Sequence, residues 1–434
     1  MIRFLSLCLA LLTLISAAVA QHAAPVALYD RLVEHVEAEE EDLVAFRHDL
    51  HRHPELSGEE VRTARRVAER LTALGFEVRT SVGGHGVVGV LAGARSGPTV
   101  AFRADMDAVR STADDPVDYR SVVPGVRHIC GHDVHTTIGV ALAEGFAAVR
   151  DDLAGTVMLV FQPEEETGTG AKAMLRDGVF ADLTPDAIFA VHTTPYNVGD
   201  VATAEGGMMA GRAFVEVTIR SDDGLEAAGL DAAGLDAAGL DAAGLDAAVH
   251  AVREALSRVG TLTPEQAFQT APPGFVLVQF FGRTDLTEDG RAATVRAQVM
   301  TAGYDDRARA KTDMLAALAD LDLPGFALHT NYDEGFMEGV NNDSALVALS
   351  NAGINAYAPE VTIRTVTGAV PAFSEDFGSL QTVTPGVMYF LGVSNPETGT
   401  VGMPHSPDYI ADDAAIVIGT RAIAAAMLQR LEAP

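Results

Sequence analysis

Apolar and polar residues change their spacing several times along the chain, and each spacing predicts a different kind of element. Between residues 28 and 74, apolar side chains recur at intervals of three and four with many charges between them, which predicts helices. After this segment, short apolar runs with β-forming residues alternate with helical segments. The runs are 99–102, 156–161 and 187–191, and the helical segments are 136–149 and 170–175. Strands that alternate with helices predict an α/β fold with a mostly parallel sheet, in which ligands bind beyond the carboxyl ends of the strands.

The spacing changes again after about Arg212. An alternating strand at 214–219, a long Ala-rich segment and a helix at 307–321 predict a compact α+β unit inserted into the first fold. Three more strands of this unit are predicted at 276–281, 292–299 and 326–330. The α/β pattern returns after about Gly335. Its predicted elements are a buried strand at 387–391, a loop that contains His405 and an amphipathic helix at 412–431.

The first twenty residues have the pattern of a signal peptide. Arg3 precedes an apolar run over residues 4–15, and Ala-Val-Ala at 18–20 supplies a signal-peptidase site before Gln21. The run is short for a spanning helix, and an uncleaved membrane anchor is the alternative. No other segment approaches membrane-spanning length in this interpretation. We expect cleavage after Ala20 and a secreted or periplasmic protein with no membrane contact after cleavage.

The net charge and the number of cysteines limit the partners that the protein can bind and the roles that its thiols can have. The chain has 434 residues, with 60 Asp or Glu against 30 Lys or Arg, and a formal charge of −30. Nucleic acids and anionic membranes are bound through clustered basic residues, so we expect no nucleic-acid partner. Of the two cysteines, Cys8 lies in the signal peptide, which leaves Cys130. A lone thiol in an exported chain is buried, paired between chains or bound to a metal.

Metal-compatible side chains follow each of the first three predicted strands. The segments concerned are 103–107 after the first strand, 162–166 after the second and His192 after the third. In the sequence RHICGHDVH, Cys130 and His132 are two residues apart and can share a face, so both can bind one metal ion. His128 and His135 are weaker candidates, and a polar loop without metal is the alternative. The Glu-Glu-Glu run at 164–166 is either a solvated surface or a metal ligand beside a general base.

Six short motifs occur in order along the chain. They are FRHDLHRHPELS at 46–57, RADMDA at 103–108, CGHDVH at 130–135, QPEEE at 162–166, SEDF at 374–377 and HSP at 405–407. Together they resemble the motifs of the M20 metallopeptidase family, in its amidohydrolase branch. That branch includes hippurate hydrolases and the hydrolases that release indole-3-acetic acid from amino-acid conjugates. The resemblance covers nearly the whole chain after residue 20.

This resemblance implies a domain organisation and a cofactor. It implies a catalytic domain in two parts, residues 21–208 and 336–434, with an α+β lid or dimerisation domain inserted at 209–335. It also implies two divalent metal ions, which are zinc or else manganese, cobalt or nickel, because the ligand types do not decide between them. The matching metal-ligand positions are Cys130, His132, Glu166, His192 and His405.

The resemblance also implies a reaction. Glu165 matches the general base, Asp107 matches the aspartate that supports the site from below, and Glu375 lies in a motif close to the metals. The implied activity is hydrolysis of the amide bond of an N-acyl amino acid or a small peptide-like amide by a metal-activated water. The partner is then a small-molecule substrate, and the lid domain allows a homodimer.

The sequence departs from the family in the lid. The family's lid normally supplies a His, followed shortly by a Pro, that helps to hold the substrate carbonyl, but residues 219–225 lack one and the next His is His250. The usual lid Asn is not evident at 282–287. Arg212, Arg220 or His250 could substitute, and nothing in the sequence selects one. The alternative function is therefore a catalytically impaired metal-binding homologue that acts as a ligand-binding protein.

A tandem repeat lies within the predicted insertion. Residues 224–248 are five consecutive Gly-Leu-acid-Ala-Ala pentads. Ala and Leu favour helix, but each Gly costs about 1 kcal/mol relative to Ala. The repeat therefore predicts a marginal helix or a mobile, solvated segment, and a third hypothesis makes the lid that carries it a protein-interaction module.

Overall fold

The computed structural model describes residues 26–221, 242–282, 285–286 and 292–433. The predicted signal peptide lies outside these residues, as do the first three pentads of the repeat and part of the fourth. The described residues divide into two compact units. The first contains the chain up to Thr203, Asn342–Thr365 and the chain from Leu380, and the second contains Ala204–Asn341 and Val366–Ser379. The predicted domain bounds stay a prediction, because close packing alone does not define a folding domain.

Strands and helices are numbered here in chain order. The strands are β1 (Glu77–Val82), β2 (Gly86–Ala92), β3 (Arg95–Asp105), β4 (Val109–Arg110), β5 (Val126–Arg127), β6 (Ala154–Gln162), β7 (Ala187–Asn197), β8 (Asp200–Thr203), β9 (Gly206–Met209), β10 (Gly211–Ser221), β11 (Val276–Phe280), β12 (Asp285–Leu286), β13 (Ala292–Thr301), β14 (Phe326–Met337), β15 (Val340–Asn342), β16 (Thr362–Thr365) and β17 (Gly386–Ser394). The helices are α1 (residues 26–38), α2 (Glu40–Arg52), α3 (Val61–Ala73), α4 (His132–Ala148), α5 (Gly170–Arg176), α6 (Ala242–Val259), α7 (Tyr304–Ala319), α8 (Ser344–Tyr357), α9 (Phe377–Leu380) and α10 (Ala414–Glu432).

The first unit is built around an eight-stranded sheet with a parallel centre. Its strand order is β1-β2-β6-β3-β7-β17-β8-β16. β3 pairs in parallel with β6 and β7, and β7 pairs in parallel with β17. β6 and β17 are nearly continuous buried apolar runs, which is typical of parallel strands in α/β folds. α4 and α10 pack against β3. The predicted α/β class with a mostly parallel sheet is confirmed.

Two strands are longer than their apolar runs, which moves polar residues into the sheet. β3 continues to Asp105, which pairs with Gln162 of β6. β7 continues to Asn197, so His192 lies within the strand opposite Phe390 of β17. The prediction that His192 follows its strand is therefore wrong. The reason is that the backbone pairing continues beyond the apolar residues from which the strand was predicted.

The C-terminal helix α10 is buried on most sides. Its residues 422–426 are almost fully enclosed, and it packs against both α4 and α8. The prediction of an amphipathic helix is therefore wrong. Among the described residues, α10 is long and apolar enough to cross a membrane by length and composition, so the expectation of no second such segment is also wrong. Because 67% of that stretch is buried inside the structure, a core helix explains its composition.

The second unit is an antiparallel sheet with two helices, as expected of an α+β unit. The strand order is β11-β13-β10-β14, with β12 also paired to β13. α6 and α7 pack on each other, and their apolar residues join the sheet in one core. The last pentad, residues 244–248, lies in α6, where Leu245 and Ala248 are buried. This part of the repeat is thus a packed helix.

Candidate metal centre

Several connections in the first unit bring distant side chains to one place. Cys130 lies between β5 and α4, and His132 is the first residue of α4. Glu165 and Glu166 follow β6, and His405 lies between β17 and α10. Together with His192 of β7, these residues form three overlapping groups. Within each group, the ligand atoms all lie within 4.8 Å of one another. The groups are Cys130, His132 and His192; Cys130, Glu166 and His405; and His132, Glu165 and Glu166.

Gly131 forms the turn between Cys130 and His132. Its φ of +90° lies in the left-handed region, and it is the N-cap residue of α4. A Cβ at this position would lie 2.2 Å from Tyr409 Oη and 2.6 Å from Thr193 Oγ1. Both the backbone angle and the lack of space therefore require glycine at this position.

The spacing of the predicted ligand atoms suits metal coordination. Cys130 Sγ lies 3.6 Å from His192 Nε2, and His405 Nε2 lies 3.1 Å from Glu166 Oε1. His132 Nε2 lies 3.9 Å from the same Glu166 oxygen. Ligand atoms at about 2.0–2.3 Å from a tetrahedral metal lie about 3.5 Å from one another, so these separations are compatible with shared coordination.

The electrostatics of the cluster favour a cation. His132 Nε2 is buried without a hydrogen-bond partner among the described residues, which is costly unless something else binds it. Burial lowers the pKa of His132, but the carboxylates of Asp105 and Asp107 outweigh it and raise this pKa to about 10. Burial and the neighbouring carboxylates raise the pKa of the Cys130 thiol. A thiol, imidazoles and a carboxylate in a negative field fit a divalent metal ion such as zinc.

Asp107 supports this cluster through hydrogen bonds. His132 Nδ1 donates to the backbone carbonyl of Asp107 at 2.8 Å and lies 3.2 Å from its Oδ1. The carboxylate also accepts from Ser57 Oγ at 2.6 Å and from the backbone N–H groups of Glu165 and Glu166 at 3.2 and 3.0 Å. Burial opposes ionisation, but the hydrogen bonds from His132 and Ser57 lower the pKa of Asp107. Because Nδ1 carries the proton, Nε2 of His132 is the nitrogen available to a metal.

This arrangement agrees with the comparison to known families. The profile described as peptidase family M20/M25/M40 matches residues 101–429. The chain belongs to this family. Membership confirms both the predicted family and the predicted enzyme class, a metal-dependent hydrolase of linear amide bonds.

Individual M20 relatives align over different shares of the chain. An Arabidopsis thaliana protein named IAA-amino acid hydrolase ILR1-like 4 is 31% identical over 390 residues, which are 87% of this chain and 83% of the relative. The hippurate hydrolase of Campylobacter jejuni is 41% identical over 151 residues, or 35% of this chain and 39% of the relative. A solved Bacillus subtilis structure, described as a dinuclear metal-binding peptidase of the M20 family, shares the fold with a TM-score of 0.73 at 24% identity. It covers 92% of this chain, and 99% of its own chain is matched.

Both ring nitrogens of His135 make hydrogen bonds within this M20 hydrolase. Its Nδ1 donates to Asp105 Oδ1 at 2.6 Å, and its Nε2 accepts from the backbone N–H of Thr193 at 2.9 Å. Arg103 Nη1 donates to the other Asp105 oxygen at 2.7 Å. Since both ring nitrogens are engaged, His135 serves to hold neighbouring backbone in place, and it does not add a ligand to the cluster.

The remaining candidates are His128 and Glu375. His128 is buried, and neither of its ring nitrogens has a hydrogen-bond partner among the described residues. Glu375 belongs to the second unit, where it is buried and accepts a hydrogen bond from the backbone N–H of Phe377 at 3.0 Å.

Thr193 is a residue that the sequence interpretation missed. Its Oγ1 donates to the backbone carbonyl of Cys130 at 2.6 Å, and its own carbonyl accepts from His192 Nδ1 at 2.9 Å. One residue therefore fixes the backbone of one predicted ligand and the ring of another. Its position directly after His192 is the only signal in the sequence, and a threonine there is not distinctive.

Replacing Thr193 by Val should weaken metal binding. The isosteric change leaves the buried Cys130 carbonyl without its donor, so we expect the free energy of unfolding to fall by about 1–3 kcal/mol. Loss of a ligand-orienting contact should also lower metal affinity about 10- to 100-fold. Urea denaturation of metal-free protein and a competitive zinc titration measure the two effects. Thr193→Ser retains the hydroxyl and serves as the control, so equal zinc affinity in both variants would contradict this role.

Proposed function

We propose that this protein hydrolyses the amide bond of an N-acyl amino acid or a small peptide-like amide, with two divalent metal ions. The observation that carries the proposal is the convergence of five ligand-type side chains beside a buried glutamate. The names of the Arabidopsis and Campylobacter relatives support an acyl amino acid as substrate. The dinuclear description of the Bacillus structure supports two ions, as does the membership of Cys130 in two of the ligand groups.

Bound metal supplies the Lewis acidity that activates a water molecule and polarises the amide carbonyl. Cys130, His132, Glu166, His192 and His405 are the residues that would hold it. The ligand types suit zinc, and manganese, cobalt or nickel also fit them.

Glu165 is the general base in this proposal. Its side chain is buried, and its Oε2 lies 3.7 Å from His132 Nε2, which places the carboxylate beside the predicted ligands. The hydrogen bond from its backbone N–H to Asp107 fixes the chain from which it extends. From this position it takes a proton from water and returns it to the leaving nitrogen, so that the amine departs neutral.

The lid raises the question of which group binds the carbonyl oxygen of the substrate. Residues 219–225 lack the family's lid His, so another donor must bind the carbonyl oxygen, or the protein binds a ligand without turnover. Loss of one such donor usually lowers the activity of an enzyme about 100- to 1,000-fold and does not abolish it, which favours hydrolysis.

A homodimer through residues 209–335 is also proposed, and sedimentation as a monomer at micromolar concentration would rule it out.

Export is a further part of the proposal, because the first twenty residues have the signal-peptide pattern. The mature protein should then be secreted or periplasmic and begin at Gln21. Amino-terminal sequencing of protein recovered outside the cytoplasmic membrane tests this. An intact Met1 on that material would contradict cleavage and favour the membrane anchor.

Glu165→Gln should abolish hydrolysis and leave metal binding intact. The amide cannot accept a proton from water, so we expect kcat to fall by about 100- to 10,000-fold. Release of free amino acid from a panel of N-acyl amino acids, with metal content measured on the same samples, is the assay. Glu164→Gln changes the adjacent, partly exposed carboxylate and should keep activity.

Each result of this assay has a definite meaning. Undiminished turnover in Glu165→Gln would sink the assignment of the base. Wild-type protein that contains both metals but releases no amino acid from any substrate would support the alternative, a ligand-binding homologue.

A further inference from the structure

Three successive backbone N–H groups next to the proposed base are each bound by a buried carboxylate. Glu165 and Glu166 donate to the two oxygens of Asp107. Glu164 donates to Oε1 of Glu60 at 2.8 Å. Asp107 is a predicted site residue, whereas Glu60 has no assigned role.

Glu164 has an unusual backbone conformation. Its φ is +56°, in the left-handed region that residues with a Cβ rarely occupy. Such conformations persist when surrounding contacts hold them, and they are frequent at functional sites. The turn at Glu164 sends the chain from the end of β6 to Glu165 and Glu166, so the direction of both side chains depends on it.

Glu60 is placed where helix capping would be expected, but it does not cap. It is the N-cap residue of α3, and its side chain makes no hydrogen bond to that helix. The carboxylate of Glu55 instead accepts from the backbone N–H groups of Arg62 and Thr63 in the first turn. Capping of α3 therefore does not explain why a carboxylate lies at position 60.

The contacts of Glu60 are directed to the catalytic loop. The side chain is fully buried, and Oε1 accepts both from Glu164 and from the backbone N–H of Gly58 at 3.0 Å. Oε2 has no hydrogen-bond partner among the described residues. Ser57, three residues earlier, donates to Asp107. The short segment 57–60 thus contacts the loop after β6 both directly and through Asp107.

We propose that Glu60 is a positioning residue for the general base. Glu60 acts by holding the backbone of Glu164 in its left-handed conformation. This inference rests on the proposed function, because it assigns Glu60 a part in placing Glu165. One oxygen does all the hydrogen bonding, so an uncharged acceptor of the same length should serve equally well.

Three variants separate this role from a general structural one. Glu60→Gln keeps the accepting oxygen. Glu60→Ser is too short to reach Glu164 but is a favourable N-cap residue for α3, which protects the fold. Glu59→Ser removes the exposed neighbouring carboxylate and is the matched control.

Kinetics provide the first measurement. We expect Glu60→Ser to lower kcat about 10- to 100-fold, with KM and metal content within about twofold of wild type. Glu60→Gln and Glu59→Ser should remain within about threefold of wild type in kcat. An equal loss in Glu60→Gln and Glu60→Ser would overturn the proposal.

Hydrogen exchange of the purified full-length protein provides a measurement that does not need activity. Amides in residues 164–170 should exchange about tenfold faster in Glu60→Ser than in wild type, and at the wild-type rate in Glu60→Gln. Unchanged exchange there in Glu60→Ser, or faster exchange throughout the first unit, would overturn the proposal. If wild-type protein hydrolyses no substrate, the proposed function fails, while the exchange experiment still decides whether Glu60 holds the loop.

Discussion

The arrangement of the site depends on Asp107, a buried carboxylate that accepts hydrogen bonds from three other segments of the chain. Ser57 comes from the segment before α3, His132 begins α4, and Glu165 and Glu166 follow β6. A carboxylate suits this position because both oxygens only accept, whereas an amide would turn N–H groups towards N–H donors. One side chain therefore orients a predicted ligand and the backbone that carries both the proposed base and a second ligand.

The second constraint is the negative charge of several carboxylates that are buried around the predicted metal ligands. Asp105 is offset by the guanidinium of Arg103, which lies in the same strand. Asp105 still acts on His132 and, with Asp107 and Glu166, raises the pKa of this imidazole. Buried carboxylates without a matching cation are strongly unfavourable, so a divalent ion bound at this cluster would stabilise it.

The sequence predicted the elements that have strong apolar patterns, and it missed what depends on contacts between distant segments. The runs at 99–102 and 156–161 lie in β3 and β6, and the residues after them lie at the site. The family motifs identified the side chains that converge. Thr193 and Glu60 could not be predicted, because their importance lies in which distant backbone group each one contacts. The burial of α10 was likewise missed, since composition does not reveal how many sides of a helix are covered.

Anomalous diffraction from crystals of the metal-loaded protein tests the central claim most directly. The account predicts two anomalous peaks within coordination distance of the side chains of Cys130, His132, Glu166, His192 and His405. Absorption-edge data collected on the same crystals would identify the element. Fully loaded crystals with no peak at these side chains, or with peaks only at surface carboxylates, would contradict the account.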